Sequence, residues 1–208
     1  MRNYKLERNL EKYINNPRDS TINFNLACDY FEIKQYASSL SYYLRCAELA
    51  VDQDLLYESL LCSWNCMAQV GGRPVFERGQ ILQAVSHSPH RPEAYNALCV
   101  WLEFCGDARI PSKEEKYLMM YSYACIGISN ILSDKKLKYY NRYDGYFAFL
   151  YYKALAGWYI GKKEESEDLF VELAKRSDDK DILLDDRYKI SINDTITNLG
   201  LQPRIEEK

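Results

Sequence analysis

The sequence has few of the residues that interrupt helices. Among its 208 residues there are only 9 Gly and 6 Pro, and no stretch alternates strictly between apolar and polar residues over the length of a strand. Because such alternation is the mark of a half-buried strand, its absence favours an all-α fold. With 47% apolar residues, a chain of this length can form one substantial core or a short array of about four or five helix pairs.

Long apolar runs are also missing. No run reaches the roughly 18 apolar residues of a transmembrane helix, and the charged N-terminal residues lack the apolar core of a signal peptide. The net charge of −3 argues against a general nucleic-acid binder. The seven cysteines, an odd number, fall mostly at apolar helical positions, as is typical of reduced thiols in the cytosol. We therefore expect a cytoplasmic protein that binds neither nucleic acid nor membrane.

Residues 23–51 predict two short antiparallel helices with a corner at residues 34–36. Small residues, Ala27 and Ser39, stand where the two backbones would approach closely. Large residues such as Tyr43 would fill the space beside them. The order of small and large residues is therefore that of a closely packed helix pair.

This order resembles the tetratricopeptide repeat. The resemblance implies a right-handed α-solenoid of about four helix pairs with a capping helix at each end. Corners near residues 35, 71 and 106 recur at roughly the 34-residue repeat length, and a corner at 161 fits if about 20 residues are inserted. The predicted organisation is an N-terminal cap at 1–18, a repeat domain at 19–176 with an irregular insertion at 133–145, and an acidic linker with a C-terminal helix at 177–208. Within it, the helices after the first pair are predicted near 55–69, 75–86, 93–105, 113–132, 146–160, 164–176 and 190–199.

In stacked pairs of this kind, the first helix of each pair lines the concave side. A groove that mixes aromatic and polar side chains can hold a peptide or an amphipathic helix. Alternatively, a terminal helix of the same chain packs into the groove and fills it. The residues predicted to face the groove are Phe24, Phe31, Glu32, Gln69, Glu93, Asn96, Glu103, Tyr151, Trp158 and Tyr159.

A second candidate site interleaves cations with aromatic rings. Such a mixture can stack on sugars or bases and contact phosphates. It is equally the pattern of a solvated loop whose rings cover a neighbouring helix, and the acidic net charge favours that interpretation. The residues are Lys138, Tyr139, Tyr140, Arg142 and Tyr143.

The residues that could support metal binding or catalysis are sparse. Cys62 and Cys66 lie one helical turn apart, and His87 and His90 follow, but this spacing matches no standard zinc finger. There is no glycine-rich phosphate loop, nucleophile elbow or His-Glu metal helix. Paired carboxylates occur at Asp178-Asp179 and Asp185-Asp186, in a polar segment where side chains are normally solvated. We predict no metal, no cofactor and no enzymatic activity.

Three phrases carry a more particular resemblance: NFNLACDYFEIKQYASSLSYYLRCAE, HSPHRPEAYNAL and FLYYKALAGWYIGKKEESEDLFVEL. They resemble helical-repeat segments associated with family-2 glycosyltransferases of marine bacteriophages and related viruses, over about residues 15–176. The nucleotide-sugar domain of those enzymes, with its metal-binding Asp-x-Asp, has no counterpart here. The expected function is a protein-interaction scaffold that binds a partner peptide or helix. The alternatives are an accessory module that contacts a glycan or a transferase, and a structural component of a viral assembly; a viral origin would imply the host cytoplasm.

Overall fold

A computed structural model describes residues 4–71, 74–104, 110, 112–131, 145–176 and 186–200. These residues form α helices and no strand, so the predicted all-α class is confirmed for this part of the chain. The helices are α1 Tyr4–Asn15, α2 Ser20–Glu32, α3 Tyr36–Leu49, α4 Gln53–Gln69, α5 Pro74–His87, α6 Glu93–Phe104, α7 Lys113–Asn130, α8 Tyr146–Tyr159, α9 Lys163–Arg176 and α10 Asp186–Asn198.

The helices form two compact units, and within each unit every helix packs against the next one in sequence. The first unit contains α1 to α5, and α2 also contacts α4. The second contains α6 to α10, and α8 also contacts both α6 and α10. Each unit thus combines neighbour packing with contacts between alternate helices.

Polar side chains explain where several helices begin. The sequence offers Asp19 and Ser20 as caps for α2, and the Asp19 carboxylate accepts a hydrogen bond from the Ile22 amide at 2.9 Å, so Asp19 is the cap. Ser112 accepts in the same way from the Glu115 amide at 3.0 Å. An N-cap acceptor satisfies amides that the first helical turn leaves without a partner.

The ends of α2 and α8 share one turn geometry. The backbone N–H of Gln35, and likewise that of Lys162, donates to the carbonyl five residues earlier at 2.9 Å. The residue before each donor is left-handed: φ is 62° at Lys34 and 87° at Gly161. This is the Schellman arrangement, which satisfies the last carbonyls of a helix and reverses the chain.

Small side chains allow α2 and α3 to approach each other closely. The Ser39 hydroxyl donates to the backbone carbonyl of Ala27 at 2.7 Å, and both residues are fully buried. The Cys66 thiol of α4 in turn donates to Ser39 Oγ at 3.3 Å. The close approach predicted at Ala27 and Ser39 is therefore confirmed.

The pair α8–α9 of the second unit also approaches closely at a small residue that faces a buried serine, although the Ser166 hydroxyl donates to the Lys162 carbonyl before its own helix. Gly157 faces Ser166, and a β-carbon on Gly157 would lie 2.6 Å from the Ser166 hydroxyl. At corresponding positions both pairs bury an alanine, a serine, an aromatic residue and a further apolar residue. These are Ala27, Ser39, Tyr43 and Cys46 in α2–α3, and Ala154, Ser166, Phe170 and Leu173 in α8–α9.

The two outermost helices each pack on a neighbour. In α1, buried Asn9 donates to the fully buried Asp29 carboxylate of α2 at 2.6 Å. Lys5 of α1 forms ion pairs with Asp29 at 3.0 Å and Glu32 at 2.9 Å. At the other end, α10 begins at Asp186 rather than near residue 190 as predicted, because the buried Tyr188 belongs to its packed face.

Candidate functional site: the aromatic surface at the end of α8

The residues predicted to face a groove divide into two groups by accessibility. The side chains of Phe24, Glu93, Asn96 and Tyr151 are buried and contribute to the core. Those of Phe31, Glu32, Gln69, Glu103, Trp158 and Tyr159 reach the surface to different extents. Only this second group is accessible to a partner without rearrangement of the helices.

In the first unit, the accessible groove residues of α2 have structural neighbours. The Phe31 ring packs edge-on against Tyr36, with ring centroids 5.2 Å apart. Glu32 pairs with Lys5. These contacts join α2 to α3 and to α1. Phe31 and Glu32, which the sequence predicts for partner binding, therefore already contact side chains of neighbouring helices.

In the second unit, Glu103 and Tyr151 lie together. Glu103 accepts hydrogen bonds from the Tyr151 hydroxyl at 3.3 Å and from the Tyr152 hydroxyl at 2.8 Å. Tyr188 of α10 packs edge-on against both tyrosine rings. Burial, followed by the nearby Glu103 charge, raises the pKa of Tyr151, so its phenol stays protonated. At this position the chain's own last helix covers the surface of α8.

Trp158 and Tyr159, at the end of α8, remain accessible and lie among lysines. The Tyr159 ring is 45% exposed and stacks on Tyr117 of α7, with centroids 4.0 Å apart and planes inclined by 15°. The Lys113 ammonium lies 4.6 Å from the Tyr159 centroid, and that of Lys163 lies 5.3 Å from the Trp158 centroid. Both distances are within the range of cation–π attraction. We call these five residues the α8-end surface.

A notch adjoins the α8-end surface between α8 and the end of α10. Its volume is about 90 Å³. Apolar side chains and two polar groups line it: Leu155, Trp158, Tyr159, Thr195, Asn198 and Leu199. A space of this size can hold one aliphatic side chain.

A charged cluster ties together the helices that carry this surface. The Glu165 carboxylate of α9 accepts a hydrogen bond from the Tyr121 hydroxyl of α7 at 2.9 Å. It also pairs with Lys153 of α8 at 2.6 Å and with Lys162 at 3.7 Å. The hydrogen bond from Lys153 is the main cause of a lowered Glu165 pKa. Burial and the bond to Glu165 raise the Tyr121 pKa, so the cluster is an ion pair with a protonated phenol.

Sequence reasoning singled out Trp158 and Tyr159 but missed their neighbours. The apolar spacing in α7 predicts that Tyr117 points inward, yet its side chain is only partly buried and pairs with Tyr159. Lys113 precedes Tyr117 by one helical turn, a spacing at which side chains meet. The spacing could therefore have predicted that Lys113 lies beside Tyr117. Nothing in the sequence indicated that Tyr117 contacts α8.

The second candidate site of the sequence lies outside the described residues. It comprises Lys138, Tyr139, Tyr140, Arg142 and Tyr143. Its predicted contact with sugar or phosphate stays a prediction.

The thiols considered as metal ligands are buried in α4. Burial raises the pKa of Cys62 well above its usual value, so the thiol keeps its proton. Cys66 donates to Ser39, and His87 and His90 are exposed. Among the residues that the structure describes, no three His, Cys, Asp or Glu side chains are grouped so that they could hold a metal ion. In the same residues, no helix combines the length and the apolar character needed to cross a membrane.

No protein-family model matches this chain, and a search of curated proteins finds no match. The tetratricopeptide and glycosyltransferase-associated resemblances therefore stay predictions from the sequence pattern.

Proposed function

We propose that this chain is a non-catalytic, tetratricopeptide-like interaction module that binds a protein segment through its α8-end surface. The observation that carries the proposal is the side-by-side placement of Trp158 and Tyr159 at an accessible helix end, next to a notch of about 90 Å³. Aromatic anchors beside a small pocket are typical of the residues that dominate protein interfaces.

Preorganisation supports this role. Tyr159 is stacked on Tyr117, and the Glu165 cluster joins the three helices α7, α8 and α9. A partner that docks here would find aromatic side chains already ordered. Because less conformational entropy is then lost on binding, more of the contact energy contributes to affinity.

The helix packing supports the tetratricopeptide-like part of the proposal. The pairs α2–α3 and α8–α9 share a Schellman turn, a buried serine in the second helix and the same order of small and large core residues. A right-handed solenoid of about four such pairs, with α1 and α10 as caps, is the arrangement we propose.

The glycan-contacting alternative is the weaker candidate at this surface. A sugar packs on the open face of an aromatic ring, but the rings here already have neighbours. Tyr117 stacks on Tyr159, and the Lys163 ammonium lies over Trp158. A protein segment that contacts ring edges and the notch fits this surface better.

A displayed library of random peptides, selected on the immobilised full chain, provides the test. Recovered peptides are then measured by fluorescence polarisation against the wild type and the Trp158→Ala/Tyr159→Ala double variant. We expect the double variant to weaken binding about 30-fold or more, the loss typical of an interface hot spot.

The control is Phe76→Ala, which removes a 61% exposed aromatic ring from α5 in the other unit. It should leave binding within about twofold, and circular dichroism should show both variants folded. Peptides that bind the double variant as tightly as the wild type would exclude this surface as the binding site.

A further inference from the structure

We propose that the α8-end surface selects an acidic peptide segment with one aliphatic side chain, which sits in the notch between α8 and α10. This inference rests on the proposed function and names its partner class. Three features of the second unit support it. They are the lysines around the aromatic rings, the positions and partners of the nearby carboxylates, and the size and lining of the notch.

Lysines surround the aromatic pair on two sides. Lys113 and Lys163 are exposed, and each holds its ammonium over a ring of the pair. Lys116, in the first turn of α7, lies 5.9 Å from the Tyr117 centroid. An ammonium that rests on a ring face keeps hydrogen-bond donors directed to solvent, where a carboxylate can accept them.

The nearby carboxylates do not neutralise the lysine ammonium groups that lie over the aromatic rings. Glu165 is already paired with Lys153 and Lys162. Glu164 is exposed, and because it follows Lys163 by one residue it lies about 100° further around the helix, away from the direction of Lys163. Glu114 and Glu115 are also exposed, and Glu115 lies in the first turn of α7 at the capping contact with Ser112. The chain is acidic as a whole, but lysines lie over all three rings of this surface.

The notch sets the second requirement. Leu155 and Leu199 contribute its aliphatic lining, beside the Trp158 ring. A volume of about 90 Å³ is enough for one aliphatic side chain. Thr195 and Asn198 also line it and can hydrogen-bond a peptide backbone. An aliphatic anchor flanked by carboxylates therefore satisfies the apolar, polar and charged parts of the surface together.

The direct test uses fluorescent 12-residue peptides and the full chain. The reference peptide has one central Leu flanked by Asp and Glu. One matched peptide replaces the Leu by Ala, and another replaces the acids by Asn and Gln. We expect each replacement to weaken binding about tenfold, and higher salt to weaken only the acidic peptides. A single-stranded oligonucleotide of 12 nucleotides is the competing anion and should bind more weakly than the reference peptide.

Lysine variants then separate this inference from the proposed function. Lys113→Gln/Lys163→Gln should weaken binding of the acidic peptide about tenfold, so that the acidic and the neutral Leu peptides bind this variant with similar affinity. Lys12→Gln/Arg18→Gln, which removes two exposed cations from the other unit, should preserve the preference.

Several outcomes would overturn the inference. Equal binding of acidic and neutral peptides that is lost in Trp158→Ala/Tyr159→Ala would refute charge selection but keep the proposed function. Equal binding that survives in that variant would refute both, as would no peptide binding at all. Tighter binding of the oligonucleotide than of the reference peptide would refute the choice of a peptide partner.

Discussion

The ring of Phe149 on α8 lies against Gly127 of α7, in the space that any β-carbon would occupy. Phe149 is fully buried, and Gly127 is buried as well. The helices α7 and α8 approach closely here because one residue has no side chain. In α8–α9 the contact of Gly157 with Ser166 is of the same kind.

Gly127→Ala should therefore destabilise the protein. Alanine favours a helix over glycine by about 1 kcal/mol, but overpacking at a buried contact typically costs about 1–3 kcal/mol. The Phe149 ring is packed on all sides and cannot move away freely, so we expect the packing cost to dominate. Urea unfolding followed by circular dichroism measures the change in the free energy of unfolding.

Gly79→Ala on α5 is the matched control. A β-carbon there would meet no heavy atom within 4 Å, so only the helix propensity changes. It should raise the free energy of unfolding by up to about 1 kcal/mol. Changes of the same sign at Gly127 and Gly79 would contradict the packing argument.

Lys34→Gly should stabilise the first unit. Lys34 has a φ of 62°, a conformation that costs an L-residue about 1–2 kcal/mol and glycine almost nothing. Allowing for the greater flexibility of glycine in the unfolded chain, we expect a gain of about 1 kcal/mol. Thermal unfolding of the variant should shift to higher temperature.

Two further variants check the cause of that gain. Gly161→Ala places a β-carbon at the equivalent position of the second unit, where φ is 87°, and should cost about 1 kcal/mol. Lys34→Ala keeps the backbone strain and should leave the stability near that of the wild type. A gain from Lys34→Ala equal to that from Lys34→Gly would point to the side chain instead.

Asp29→Ala should loosen α1 selectively. It removes the acceptor for buried Asn9 and one partner of Lys5, both on α1. Leaving a buried amide without its acceptor costs about 1–3 kcal/mol. Hydrogen exchange should therefore accelerate in residues 4–15, while the amides of α3 and α4 keep their protection.

The other ion pair of Lys5 supplies the control. Hydrogen bonds with Glu32 and then Asp29 raise the Lys5 pKa above 10.5, so these pairs stabilise the fold below that pH and are lost as pH rises through the higher folded value. Glu32→Ala removes only the exposed pair and should cost less than about 1 kcal/mol. Equal acceleration of exchange in both variants would argue against a special role for the buried carboxylate.

Cys46 should make the protein less stable in alkali. Burial raises its pKa from 9.0 to about 11. Between these pH values the unfolded thiol loses its proton while the folded thiol keeps it, so stability falls as pH rises, by about 1.4 kcal/mol per pH unit and about 3 kcal/mol in total. Unfolding free energies of the wild type and Cys46→Ala, measured from pH 8 to 11, give the difference.

The slopes of the two profiles carry the information, because Cys46→Ala also leaves a cavity that lowers stability at every pH. The variant should show the shallower decline above pH 9. Ser41→Ala, an exposed change on the same helix that removes no titrating group, should follow the wild-type slope. Parallel profiles for Cys46→Ala and the wild type would refute the assignment.

The sequence by itself determined the helices and the pairing of neighbours. The periodic spacing of apolar residues, the Asp19 cap, the corners near residues 35 and 161, and the small residues Ala27 and Ser39 are local features, and the structure contains each of them. Local features can be read from a sequence because they depend on residues within one or two helical turns.

Only the tertiary structure decided which side chains remain accessible. Phe24 and Tyr151 occupy positions that the repeat pattern assigned to an open groove, but neighbouring helices bury both of them. Tyr117 contacts Tyr159, and Tyr188 covers Tyr151, so these contacts join residues that are far apart in the sequence. The accessible part of a helix face depends on which other helix packs on it. The spacing of residues within one helix does not identify that neighbouring helix.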